Sequence, residues 1–246
     1  MITRAEILKI KSLADKRGRD EHGLFVAEGE KIIRELLLSE LCVERIYALE
    51  GVLEDCAGVC CVTRAEMERI SMLKTANSSL ALVRKPEWRF DAGTARDNLV
   101  LALDGVSNPG NLGTLIRLAD WFGIGDVICS PESADCFNPK VVQATMGAII
   151  RVRVHYCSLP EVLGAVRGEG IPVYGTFLDG ENIYEAGLSS SGVIVMGNEG
   201  RGISESVAAL VSHRLFIPPW PSDRCGSESL NVSVAAAIAC SEFRRR

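Results

Sequence analysis

The stretch Leu99-Val-Leu-Ala-Leu-Asp-Gly-Val-Ser-Asn-Pro-Gly-Asn-Leu-Gly-Thr-Leu-Ile-Arg117 sets the class of this chain. An unbroken apolar run ends in a loop of turn-forming residues, and a helical pattern comes next. Such a run suits a strand covered on both faces, and strand, loop, helix is the order of a parallel α/β unit. Two further strand ends run into similar loops. One is Val193-Ile-Val-Met followed by Gly-Asn-Glu-Gly-Arg-Gly-Ile203. The other is Leu215-Phe-Ile-Pro-Pro, followed after a longer loop by Ser-Glu-Ser-Leu-Asn-Val-Ser-Val234. The carboxyl ends of parallel strands share one edge, and ligands bind outside it. The three loops therefore predict one composite site.

The second part of the chain alternates throughout. Apolar strands at 99–103, 126–129, 150–154, 171–176, 193–196 and 214–217 are separated by helical stretches near 112–122, 139–147, 160–168, 203–212 and 229–243. That alternation predicts a parallel sheet with helices on both faces. The first part reads as a smaller mixed α/β unit. It has a helix over Ala5 to Leu13, a strand at Phe25-Val-Ala and a helix with Ile32, Ile33, Leu36 and Leu37 on one face. Strands at Arg45-Ile-Tyr-Ala and Val59-Cys-Cys-Val follow, then a helix to Ile70 capped by Thr63 with Glu66 three residues on, then Ser79-Leu-Ala-Leu-Val83. Residues 1–85 and 98–246 are thus expected as two domains, with 86–97 as the linker.

Composition bounds the function. With 47% apolar and 24% charged residues, the 246-residue chain has the make-up of a globular protein. No apolar run approaches the roughly 18 residues of a membrane span. The start, Met1-Ile-Thr-Arg-Ala-Glu, lacks a signal core, so a cytoplasmic protein is expected. The nine cysteines contain no Cys-x-x-Cys pair, and His22, His155 and His213 lack ligand spacing. Reduced, mostly buried thiols and no metal site are expected. A net charge of −5 argues against a protein that coats nucleic acid. Lys9, Lys11, Lys16, Arg17 and Arg19 nevertheless cluster near the start, either as a solvated face or as a local RNA-binding surface.

No Gly-x-x-x-x-Gly-Lys phosphate loop is present, and Gly197-x-x-Gly-x-Gly does not have the dinucleotide-binding spacing. Glycines after a strand still let backbone approach a ligand closely, which suits a nucleotide-like cofactor. Asn108-x-Gly-Asn-x-Gly-x-x-x-Arg117, Gly197-Asn-Glu-Gly-x-Gly-Ile203 and Ile217-Pro…Glu228-Ser-Leu-Asn-Val-Ser-Val-Ala235 together resemble the three motifs of the SpoU (TrmH) family. Its members are S-adenosylmethionine-dependent RNA ribose 2′-O-methyltransferases of the SPOUT class. The resemblance covers about residues 98–246, while Phe25-Val-Ala-Glu-Gly29 is similar to the ribosomal-protein-like substrate-binding domain of many members.

The resemblance implies a C-terminal trefoil knot holding the methyl donor, and a homodimer with its sites at the interface. It implies catalytic roles for Asn111, Arg117, Glu199, Ser229 and Asn231. It places the cofactor against Thr176, Met196, Gly197, Asn198, Gly200, Ile217, Pro218 and Leu230. The stretch Pro219-Trp-Pro-Ser-Asp-Arg-Cys-Gly-Ser227 is longer than the family's and carries extra prolines and a tryptophan, so the resemblance does not fix the shape of the 218–227 loop. A guanidinium stays protonated, so Arg117 is expected to grip the target phosphate and stabilise the developing alkoxide rather than act as a base.

Each residue also has a plainer reading. Arg117 could pair with Asp120 on the helix surface, Asn111 could be an N-cap, and Glu199 could only order its loop. Ser229 and Asn231 could cap the last helix, whose alanines could be simple core. Two other functions compete. An inactive RNA-binding or ribosome-assembly protein has no chemical reason to keep all five polar residues. A cysteine-nucleophile base methyltransferase would want a Pro-Cys dipeptide, and none occurs.

Overall fold

The computed structural model describes residues 2–221 and 229–245. Two compact units are formed, one by the residues up to Glu87 together with Asp135–Ile150, the other by Trp88–Ala134 and Arg151 onward.

The first unit contains α1 (Arg4–Ser12), α2 (Lys16–His22), β1 (Leu24–Glu28), α3 (Glu30–Leu37), β2 (Val43–Ala48), β3 (Val59–Cys61), α4 (Arg64–Ile70) and β4 (Ser79–Arg84). Its sheet runs β1-β4-β2-β3, with only the β2–β3 pair parallel. Thr63 and Glu66 form the expected capping box on α4, and Thr3 with Glu6 forms a second one on α1. Helix α2 departs from the sequence expectation, because Lys-Arg-Gly-Arg-Asp-Glu-His carries no apolar face. It is held instead by Arg19, only 1% exposed, which donates to Asp135 at 2.7 and 2.9 Å and to the carbonyls of Leu13 and Ala14. Gly18 lets the chain fold back, since a Cβ there would lie 2.1 Å from the Ser12 carbonyl oxygen. Arg19 is therefore a buried fastener and not part of a solvated or RNA-facing cluster. Lys9 pairs with Glu44 and Lys11 donates to the Ser71 carbonyl, whereas Lys16 and Arg17 are exposed.

Farther along the chain, α7 (Pro139–Ala144) and a 3-10 turn (Ala148–Ile150) also belong to the first unit. The second unit itself holds α5 (Thr94–Asp97), β5 (Leu99–Leu103), α6 (Pro109–Trp121), β6 (Asp126–Cys129), β7 (Arg153–Tyr156), α8 (Leu159–Gly168), β8 (Val173–Phe177), β9 (Glu181–Asn182), β10 (Gly192–Met196), α9 (Glu205–Ala208), β11 (His213–Phe216) and α10 (Val232–Arg245). The 3-10 turn uses the apolar residues expected to open a strand at 150, so β7 starts only at Arg153. The helix expected over 203–212 shrinks to α9.

All seven strands of the second sheet are parallel, in the order β7-β6-β5-β10-β8-β11-β9. β5 and β10 are wholly buried, as central strands covered on both faces must be. One face packs Val100, Ala102, Val193 and Val195 against Leu159, Leu163 and Val166 of α8. On α6, Leu112, Leu115, Ile116 and Ala119 are fully buried, and burying each leucine or isoleucine stabilises by about 1.5–3 kcal/mol. Helix α10 packs on α6. From β5 the chain builds towards β7, then returns to place β8 on the other side and β10 between. The order reverses beside β5 and β10, and at such a switch point the outgoing loops diverge and leave a crevice.

Candidate active site

Met196 lies in register with Leu103, so the loops leaving β5 and β10 begin side by side. The loop after β5 ends at Asn108, whose side-chain oxygen accepts from the N–H groups of Gly110 (2.8 Å) and Asn111 (3.1 Å), with Pro109 in the first turn. Asn108 is thus the N-cap of α6. Asn111 is not the cap; it lies within the first turn, with its side chain available for other partners.

The loop after β10 is tied to itself. Asn198 exchanges backbone hydrogen bonds with Gly202 at 2.9 Å each, and its side-chain oxygen accepts from the N–H groups of Gly200 and Arg201. A Cβ on Gly197 would lie 2.3 Å from the Gly202 carbonyl carbon, so glycine there serves closure of the loop. Glu199 stands exposed at the tip.

Three of the five expected catalytic residues meet. Asn111 Nδ2 donates to Glu199 Oε1 at 2.6 Å, and Asn231 Nδ2 donates to Asn111 Oδ1 at 3.1 Å. Asn231 Oδ1 accepts from the Ser233 N–H at the head of α10, while Ser233 Oγ donates to the Asn111 carbonyl. One asparagine on α6 therefore joins the β10 loop to the last helix. Arg117 is exposed and has no ion-pair or hydrogen-bond partner among the described residues. Its expected surface partner Asp120 instead binds Arg151, with Nη2 2.8 Å from Oδ2. Ser229 is exposed, precedes α10 and stays outside the hydrogen-bonded chain.

All the expected cofactor residues but Leu230, which precedes α10, lie in or just after the ends of three neighbouring strands, β8, β10 and β11. Thr176 lies near the end of β8, with its hydroxyl 3.4 Å from the Val195 carbonyl and 3.6 Å from Met196 Sδ. Met196 is buried, Gly197, Asn198, Ile217 and Pro218 are half-buried, and Gly200 and Leu230 are exposed. Half-buried aliphatic side chains beside a glycine-rich backbone fit a nucleoside, with apolar walls for a ring and main-chain groups for its polar edge. The lengthened loop falls partly on 222–228, outside the described residues.

Asp104, Ser204 and Ser233 also belong to this edge, although their residue types do not mark them in the sequence. Asp104 is 9% exposed and accepts from the Ser204 N–H at 2.7 Å. An acid closing a fully buried strand is the signal that could have found it. Among the described residues no cluster of three His, Cys, Asp or Glu is placed to hold a metal ion. The described cysteines are free thiols, and no described helix is long and apolar enough to cross a membrane.

The sequence profile of the SpoU rRNA methylase family matches residues 98–241, and that of an MRM3-like substrate binding domain matches residues 4–81. A 23S rRNA (guanosine(2553)-2′-O)-methyltransferase of Bacillus subtilis, RlmP, is 33% identical over 242 residues, covering 95% of this chain and 94% of its own. A putative RNA methyltransferase of the TrmH family from Porphyromonas gingivalis superposes with a TM-score of 0.91 at 38% identity, covering 100% of this chain and 99% of its own. An AdoMet-bound rRNA methyltransferase from Sinorhizobium meliloti superposes at 0.85 with 26% identity, covering 100% of this chain and 96% of its own. With its parallel sheet, its three motif loops at one edge and these matches, the chain belongs to the SpoU rRNA methylase family.

Proposed function

We propose that this protein transfers a methyl group from S-adenosylmethionine to a ribose 2′-hydroxyl of a structured RNA in the cytoplasm. The observation that carries the reading is the hydrogen-bonded chain Glu199–Asn111–Asn231 at the carboxyl edge of the sheet, whose middle residue shares α6 with Arg117. When bound, the cofactor supplies a methyl group already activated by the sulfonium charge. Thr176, Met196, Gly197, Asn198, Gly200, Ile217, Pro218 and Leu230 would hold it, largely through backbone and apolar surface. Arg117 grips the target phosphate and stabilises charge growing on the ribose oxygen, since no carboxylate among the described residues satisfies its fork of donors. The hydroxyl proton leaves to a phosphate oxygen or to water, because guanidinium cannot take it. Glu199 and Asn231 orient Asn111, and Ser229 supplies a further polar group beside them.

Residues 1–85 are assigned to binding the RNA substrate, 86–97 to the linker and 98–246 to methyl transfer. Supporting this are the mixed sheet of the first unit and the profile match over 4–81. Ribosomal RNA is the favoured substrate, given the 23S rRNA specificity named for the Bacillus subtilis relative. A trefoil knot in the last third and a homodimer complete the proposal. Support for the dimer comes from α6 and α10, where Trp121 is 84% exposed and Val234 48%, next to the small side chains of Ala235 and Ala237. Free thiols suit a reducing compartment.

The test is to map ribose methylation in ribosomal and transfer RNA from cells with and without the protein, and then to restore it in vitro. One restored 2′-O-methyl in ribosomal RNA is expected. Cofactor binding with no methylation of either RNA would instead establish an inactive RNA-binding protein. Light scattering should show a dimer; full transfer by a monomer would overturn the interface site.

A further inference from the structure

We infer that Asp104 is a positioning residue of the methyl-transfer site: its carboxylate fixes the returning end of the β10 loop and so holds Glu199 against Asn111. This rests on the methyl-transfer reading above. The loop leaves β10 at Met196, whose carbonyl accepts the Asp104 N–H at 2.9 Å. It returns at Ser204, whose N–H donates to Asp104 Oδ2 at 2.7 Å. Midway, Asn198 Nδ2 donates to the Gly105 carbonyl at 2.7 Å. Two adjacent residues at the end of β5 therefore hold the exit, the middle and the return of the loop.

The clamp is braced from behind. Gly105 takes a left-handed φ of 69°, and its N–H donates to Ser130 Oγ at 2.9 Å. The Ser130 hydroxyl lies 3.3 Å from that of Ser133, which donates to the Leu103 carbonyl. Glu199 lies between Asn198 and Gly200, inside the span that the clamp pins. Its carboxylate meets Asn111 from the exposed tip of the loop, so the loop backbone must set where it stands.

The chemistry favours an acid at position 104. A short side chain must reach across to a backbone N–H, and a carboxylate makes that bond charge-assisted. A carboxamide keeps the length and an acceptor oxygen, whereas alanine leaves the Ser204 N–H without its partner at a nearly buried site. A residue that only stabilised the fold would lower the melting temperature and leave cofactor binding untouched well below it.

The test uses full-length Asp104→Ala, Asp104→Asn and Ser204→Pro. The last removes the donor at a residue whose φ of −63° already suits proline. S-adenosylmethionine affinity is read by calorimetry, methyl transfer by single turnover, and loop protection by hydrogen exchange at Gly200–Ile203, all well below each melting point. Asp104→Ala and Ser204→Pro should each weaken cofactor affinity about 10-fold and slow transfer about 10- to 100-fold, the size expected for one lost charged hydrogen bond, with faster exchange in the loop. RNA KM should stay unchanged, and Asp104→Asn should restore affinity to within about 3-fold of wild type. Folded Ala and Pro variants with wild-type affinity, transfer and exchange would overturn the inference. If alanine prevents folding, Asn and Pro decide: a Pro variant with wild-type affinity, or an Asn variant as impaired as Pro, would overturn it. Failure of the wild-type protein itself to bind the cofactor would count against the methyl-transfer reading.

Discussion

Helices α6 and α7 open with the same local device. In both an asparagine caps the helix and a proline takes the first position; Asn108 accepts from Gly110 and Asn138 accepts from Lys140, at 2.8 and 2.9 Å. Beyond the first turn the two helices part. The third residue of α6 is Asn111, whose side chain reaches partners 88 and 120 residues away in sequence. The third residue of α7 is Val141, fully buried in the first unit. A cap says where a helix starts, but strand order decides whether that start faces a site. Of the two, α6 begins beside the point where the sheet reverses.

The contrast between the two helices should be largest at Arg117. Arg117→Ala should leave cofactor affinity near wild type while transfer falls about 100-fold or more, as when a transition-state donor worth ~3 kcal/mol is removed. Arg117→Lys should rescue little, because an ammonium lacks the planar fork. Single-turnover methylation of RNA decides it; near-wild-type transfer by the alanine variant would return Arg117 to an ordinary surface residue, and α6 would lose its distinction from α7 there.

Asn111 separates the helices next. Asn111→Asp keeps an acceptor for Asn231 but sets a second carboxylate where the amide donor faced Glu199. Two like charges at that separation repel, and the bond that holds Glu199 on position 111 is lost. Single-turnover transfer should fall about 10- to 100-fold. Wild-type transfer by this variant would mean that the site does not depend on this contact.

These partners also explain what is legible in the sequence. The buried runs at 99–103 and 193–196 and the Thr63–Glu66 capping box are local signals, and the structure reproduces them. Helix α2 escapes a sequence reading because its stabilisation comes from Asp135, 116 residues from Arg19. The start of β7 escapes it too. Met146 and Gly147 take left-handed φ values of 52° and 95°, leading into a 3-10 turn that the apolar pattern of Ala148-Ile-Ile150 conceals. The motif loops announce that a site exists. The hydrogen bonds to Asn111 cannot be read from the residues alone, since they depend on which strands become neighbours.

Away from the site edge, Asp126 opens β6, at the opposite end of its strand from the loops. Burial disfavours its charge, but hydrogen bonds from His155 Nε2 and Arg153, each at 2.8 Å, outweigh burial and hold the carboxyl below its usual range. A folded pKa below the unfolded value of about 3.9 contributes stability above that pH, lost as pH falls through the folded value. Asp126→Asn should cost roughly 1–2 kcal/mol at pH 7 and flatten the stability profile below about pH 4, while transfer at pH 7 persists. Denaturant unfolding at pH 7 and pH 3 reads both slopes; parallel profiles for the two proteins would exclude this carboxylate as an acid-sensitive group.

The smallest effect lies at the two caps themselves. Asn138→Ala removes a cap oxygen from the Lys140 N–H, and loss of such a cap costs about 1 kcal/mol of stability. Nothing on α7 is assigned to the chemistry, so single-turnover transfer measured well below the melting point should match wild type. Asn108→Ala removes the same atom type from α6 and should cost a similar ~1 kcal/mol. Yet it also frees the Asn111 N–H at 3.1 Å and loosens the turn that aims Asn111 at Glu199. Its transfer rate should drop several-fold where that of Asn138→Ala does not. Equal transfer rates at equal stability loss would mean that both caps act only on their helices, and that the position of Asn111 is fixed by Asn231 and Ser233 from the last helix.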